Sequence, residues 1–121
     1  MKNQPLLRRS WYALNGILSA AKIESSFRTE LVLAAIGAIG LTWLRPPLVM
    51  VALCVIAAGL VLAVELLNTS IEHLADRLHP AQHPTIGIAK DCASAAVMVT
   101  LIIAVVVGGL TVAVGLGLLK L

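Results

Sequence analysis

The chain has 121 residues, of which 60% are hydrophobic and 12% charged, with a formal net charge of +3. Soluble domains carry about 25% charged residues, so the composition excludes an ordinary water-soluble fold and points to one membrane-embedded domain. Lipid covers the apolar faces of such a chain, and a large internal core is not required of it.

The first predicted element spans residues 6–27. Leu6, Leu7, Trp11, Leu14, Leu18 and Ala21 recur at mixed helical spacing, relieved by Arg8, Arg9, Asn15 and Lys22. This pattern predicts an amphipathic helix lying on the membrane surface, with Trp11 and Tyr12 as interface anchors. The segment Glu24-Ser25-Ser26-Phe27-Arg28-Thr29-Glu30 joins it to a first span over about 27–44, which Arg45-Pro46-Pro47 ends. Glu24 and Arg28 are spaced for an i,i+4 pair, worth only about 0.3–0.5 kcal/mol on an exposed helix.

A second span is expected over 48–67 and a third over 93–119; each has the roughly 20 residues needed to cross the hydrocarbon. Between them, His79-Pro80-Ala81-Gln82-His83-Pro84 breaks the chain, and Ile86–Asp91 is expected to start another helix. Ala34/Ala38 and Gly59/Ala63 have small-xxx-small spacing, and Gly37, Gly40, Gly108 and Gly109 add points for close helix packing. The expected fold is all-α, with three transmembrane helices and an amino-terminal surface helix.

Lys2, Arg8, Arg9, Lys22 and Arg28 lie at or before the start of the first span, and Arg77 and Lys90 lie between the second and third. Basic residues favour the cytoplasm, which places the amino terminus and the 68–91 loop inside and the carboxyl terminus outside. No secretory signal peptide is expected, since Pro5, Arg8 and Arg9 interrupt the opening. Cys54 and Cys92 form no C-x-x-C pair and read as small buried residues. His73, His79 and His83 do not have metal-cluster spacing, because Pro80 and Pro84 disrupt a helical pairing.

The chemistry concentrates at one membrane edge. All six acidic residues, Glu24, Glu30, Glu65, Glu72, Asp76 and Asp91, fall at or near the expected cytoplasmic face. Glu65 is embedded in an apolar run, where an ionisable residue costs roughly 3 kcal/mol on insertion scales and marks a functional site by default. On a helix Glu65, Glu72 and Asp76 share one stripe within about 40°, flanked by Asn68 and Thr69. Carboxylates so aligned repel one another unless a cation or proton sits among them. Asp76 alone would read as part of a solvated polar face.

The sequence has no G-x-x-x-x-G-K-[ST] loop, kinase glycine loop, G-x-S-x-G elbow or H-E-x-x-H motif. The remaining groups still suit phosphoryl transfer. A carboxylate pair can hold Mg²⁺ bridged to phosphate, a lysine can neutralise developing charge, and a partly desolvated glutamate can take a proton from an alcohol. For a lipid alcohol, the base belongs at membrane depth and the metal groups nearer water, which is the order of Glu65 and Glu72.

Glu65-Leu66-Leu67-Asn68-Thr69-Ser70-Ile71-Glu72, then Asp76-Arg77 and Ala89-Lys90-Asp91 with Ser94-Ala95-Ala96-Val97, resembles the prokaryotic diacylglycerol kinase family. The upstream Glu24, Phe27-Arg28 and Glu30 fit the same resemblance, which runs from about Tyr12 into the third span. It implies a homotrimer in the bacterial cytoplasmic (inner) membrane with active sites shared between chains. The reaction it implies is ATP-dependent phosphorylation of diacylglycerol, with Mg²⁺ accompanying ATP and no nucleic-acid partner.

By the same resemblance, Glu65 is the general base, and Glu24 and Glu72 hold the metal. Tyr12, Glu24, Glu72, Ala81, Gln82, His83, Lys90 and Asp91 contact ATP. Phe27, Arg28, Glu30, Glu65, Asn68 and Ser94 serve the lipid side, with Asp76 in support. A basic residue that the family carries upstream of Tyr12 aligns here with Pro5, leaving Arg8 and Arg9 as the nearest cations. Undecaprenol kinases, the close alternative, tend to carry histidine where Glu30 stands, so Glu30 favours diacylglycerol. A small ion-coupled transporter, the alternative of another class, would be expected to have four spans and one isolated acid.

Overall fold

The computed structural model describes residues 2–121 and is all-helical: α1 Leu6–Ile23, α2 Ser25–Leu44, α3 Leu48–Leu78 and α4 Pro84–Gly115. Three of these, α2, α3 and α4, are long and apolar enough to cross a membrane. At 1.5 Å per residue α2 is about 30 Å long, matching the hydrocarbon thickness. By the same rise α3 and α4, with 31 and 32 residues, exceed that thickness by several turns. Their polar ends, which carry Glu72, Asp76, Lys90 and Asp91, therefore project beyond the apolar zone.

A single residue separates α1 from α2. Glu24 takes an extended conformation (φ −110°, ψ 114°), and its amide still donates to the Ala20 carbonyl. The last carbonyls of α1, which no helical amide can reach, are satisfied by a side chain. Arg28 Nη1 donates to the carbonyls of Ala21 (2.8 Å) and Lys22 (3.0 Å). Among the described residues Glu24 and Arg28 form no ion pair, because the extended Glu24 breaks the helical register on which an i,i+4 pair depends. At its far end α2 stops at Arg45, which is left-handed (φ 47°, ψ 53°) ahead of Pro46-Pro47; neither proline can extend the helical hydrogen bonding.

The principal packing is α3 against α4, with α2 laid on α3 and α1 touching both α2 and α3. Cys54 Sγ lies 3.1 Å from Thr111 Oγ1 across the α3–α4 seam. Gly115 supplies a close approach, since a Cβ there would stand 3.1 Å from the Leu44 side chain. Gly37, Gly40, Gly59, Gly108 and Gly109 instead face open space within the single chain. Cys54 is half-buried and Cys92 is exposed, so Cys92 departs from the buried reading of its type. The helix expected from Ile86 begins earlier, at Pro84, and continues into the third span without interruption. His83 Nδ1 caps it by accepting from the Thr85 amide (3.2 Å), and Pro84 occupies the first turn, where its missing amide is no loss.

Candidate active site

α3 carries its polar residues along a gradient of burial. Glu65 is only 4% exposed; one turn on, Asn68 and Thr69 are also buried; Glu72 is half-buried and Asp76 is exposed. The stripe thus runs from an enclosed end to an exposed one. A carboxylate as enclosed as Glu65 needs hydrogen-bond partners, and α2 supplies one. Ser26 Oγ donates to Glu65 Oε1 at 2.7 Å. Glu30, one turn further along α2, is close enough to Glu65 for the two carboxylates to repel.

Three buried oxygens in this part of the molecule have no protein partner: Glu30 Oε2, Asn68 Oδ1 and Thr69 Oγ1. Helical hydroxyls commonly bond back to the preceding turn, as Thr29, Thr100 and Thr111 do here. Thr69 does not, so its hydroxyl is left available beside Asn68. The next turn brings His73, whose Nδ1 is 2.9 Å from the Thr69 carbonyl and 4.0 Å from Glu24 Oε1. A carbonyl only accepts, so Nδ1 carries the proton. The Glu24 carboxylate, at the α1–α2 joint, thus comes within 4.0 Å of the His73 ring on α3. Neither Glu24 nor Glu72 is paired with a lysine or arginine among the described residues.

At the outer end of α3 and α4 lies a groove of about 700 Å³. It is lined by Glu72, Asp76, Ala81, Gln82, His83, Lys90, Asp91 and Ser94, together with His79 and the two loop prolines. Lys90 Nζ donates to Asp76 Oδ1 at 2.7 Å, which raises the Lys90 ammonium above its ordinary value. Lys90 precedes the apolar stretch of α4, so this cation stands at the watery end. Asp76 is thereby tied to α4 rather than simply solvated. His79 and His83 stack edge to face at 5.4 Å. Each ring also bonds locally, His79 Nδ1 lying 2.7 Å from the Ala81 carbonyl.

Two expected site residues stand apart. Tyr12 lines a different groove, of about 490 Å³, along α1 with Lys2, Arg9 and Ser10. Phe27 is 1% exposed, the most enclosed large side chain of the molecule, so it packs α2 in place rather than lining open space. Ser26 was given no role by sequence. The only hint was its spacing: it precedes Glu30 by one helical turn and so shares a face with it.

The sequence model of the prokaryotic diacylglycerol kinase family matches residues 11–112 of the chain. The chain belongs to that family. It is 39% identical over 107 residues to the diacylglycerol kinase of Haemophilus influenzae, covering 87% of this chain and 90% of the relative. Against the diacylglycerol kinase of Escherichia coli K12 the identity is 33% over 101 residues, covering 84% and 83%. The diacylglycerol kinase of Pseudomonas aeruginosa is 38% identical over 101 residues, covering 79% and 78%. Membership makes the protein a membrane lipid kinase of the diacylglycerol kinase type, and the match takes in the whole polar stripe of α3 and the groove beside it.

Proposed function

We propose that the protein transfers the γ-phosphate of ATP directly to the primary hydroxyl of diacylglycerol, giving phosphatidic acid, at the cytoplasmic face of the bacterial inner membrane. The observation that supports this reading is the burial gradient of α3, from the enclosed Glu65 to the polar groove beside Glu72 and Asp76. Glu65 takes the proton as the lipid oxygen attacks the γ-phosphorus. The new O–P bond forms while the bond from that phosphorus to the β,γ-bridging oxygen breaks, and ADP leaves with the bridging electrons. Asn68, Glu30 and Ser94 orient the hydroxyl end of the lipid, and the unpartnered oxygens of Asn68 and Glu30 are available for this. Arg28 acts at the lipid side by fixing the α1–α2 joint.

The groove at the α3–α4 turn has a volume in the range of small-molecule sites. In this reading its lining residues Ala81, Gln82, His83, Lys90 and Asp91 contact ATP, with Asp76 holding Lys90 in place. Glu24 and Glu72 suit a hard divalent cation by their chemistry, since both are carboxylates with no lysine or arginine ion pair among the described residues. They would hold Mg²⁺ with the ATP phosphates, where the cation would offset phosphate charge. The separation of Tyr12 from the α3–α4 groove within one chain supports a homotrimer whose sites draw on neighbouring subunits.

Purified protein in mixed micelles with labelled ATP is expected to phosphorylate diacylglycerol in preference to undecaprenol; faster turnover of undecaprenol would reassign the substrate. Cysteine-accessibility labelling in cells tests the topology. A label at the carboxyl terminus is expected to react from outside and one in the 79–83 loop only after permeabilisation, and the reverse pattern would invert the protein.

A further inference from the structure

A serine in the first turn of a helix commonly spends its hydroxyl on nearby backbone. Ser26 does not. The carbonyl four residues before it belongs to Lys22, on the far side of the extended Glu24, so the helical register that would bring it to the serine is broken. The extended backbone at Glu24 also turns α2 away from the axis of α1. The Ser26 hydroxyl instead crosses to α3, where it meets Glu65 Oε1 at 2.7 Å. The serine hydroxyl is the donor and the carboxyl oxygen the acceptor, at a distance usual for an O–H···O bond. Among the described residues this is the one hydrogen bond that the Glu65 side chain makes.

We infer that Ser26 is a positioning residue for Glu65, its hydroxyl fixing one carboxylate oxygen and leaving the other to face the lipid hydroxyl. The inference rests on the proposed role of Glu65 as the base. A glutamate on a long helix samples several rotamers, and only some aim an oxygen at a substrate held beside Asn68. One bond from a separate helix selects among them. It also ties the site to the α1–α2 joint, because Ser26 stands two residues after the extended Glu24. The role is one of geometry: Ser26 exchanges no proton with the substrate.

The test compares Ser26→Ala, Ser26→Thr, Glu65→Gln and the double variant Ser26→Ala/Glu65→Gln, each assayed for diacylglycerol phosphorylation in micelles. Ser26→Ala is expected to lower kcat on the order of tenfold, with KM for ATP and for diacylglycerol within about twofold of the parent. Ser26→Thr retains the hydroxyl and is expected to recover most of that loss. In the Glu65→Gln background, Ser26→Ala is expected to cost less than about twofold further, since groups acting as a unit are not additive. An equal fold-loss in both backgrounds would mean that Ser26 acts through packing, and a parental kcat in Ser26→Ala would mean that it does not act at all. Either result overturns the inference and leaves the role of Glu65 standing. Near-parental turnover in Glu65→Gln itself would instead remove the base, and the inference with it.

Discussion

Glu65→Gln is expected to lower the rate of phosphate transfer by roughly 10²–10⁴-fold, the usual cost of losing a general base, while ATP and diacylglycerol binding change little. Glutamine keeps the size of the side chain and can still receive a hydrogen bond from Ser26, so the α2–α3 contact survives. What it cannot do is accept the lipid proton. The competing reading is structural, in which Glu65 is a membrane carboxylate held by a neighbouring helix. The hydrogen bond from Ser26 fits both readings, and the measurement separates them. A purely structural glutamate would leave Glu65→Gln an active, well-folded enzyme, and single-turnover phosphate transfer near the parental rate would end the catalytic assignment. Binding should be measured alongside, because a fall in turnover with weakened lipid binding would indicate a lost contact rather than a lost base.

The parts of this molecule that follow a single helical period were legible in the sequence. Apolar runs of spanning length marked α3 and α4, and the shared stripe of Glu65, Glu72 and Asp76 followed from about 100° per residue. The position of Glu65 within LVLAVELL anticipated its burial. Contacts between helices were not legible, because no period links residues on different axes. Ser26 and Glu65 are 39 positions apart, and nothing in either neighbourhood names the other. Lys90 and Asp76 were each visible, but their hydrogen bond depends on how α4 returns beside α3 after the proline-bounded loop. Local reading also failed where the backbone leaves the helix. The Glu24/Arg28 pair assumed one continuous helix, whereas the extended Glu24 sends Arg28 to the carbonyls of α1. Gly37, Gly40, Gly59, Gly108 and Gly109 were visible as notches, yet none meets a partner within the chain, whereas Gly115, which the spacing did not single out, meets Leu44.

The second large effect is expected at the acids nearer water. Glu24→Gln and Glu72→Gln are each expected to raise the Mg²⁺ concentration for half-maximal rate on the order of 10–100-fold, at least the cost of losing an outer-shell partner of a metal ligand. The argument is electrostatic. Carboxylates beside a polyphosphate repel it unless a cation lies between them, and among the described residues neither Glu24 nor Glu72 forms an ion pair with a lysine or arginine. His73 stands 4.0 Å from Glu24, too far for a hydrogen bond, and its Nδ1 proton is directed to the Thr69 carbonyl. The remaining acid of the stripe offers no substitute, since Asp76 is bonded to Lys90 at 2.7 Å. Asp76→Asn is therefore expected to leave the Mg²⁺ midpoint in place, even where losing the Lys90 contact weakens ATP binding. Initial rates over a Mg²⁺ titration at fixed ATP would check this, supported by Mn²⁺ binding followed by electron paramagnetic resonance with a non-hydrolysable ATP analogue. An unchanged metal midpoint in both Glu24→Gln and Glu72→Gln would take these residues out of the metal site. A shift in Asp76→Asn alone would move the site outward, to the mouth of the α3–α4 groove.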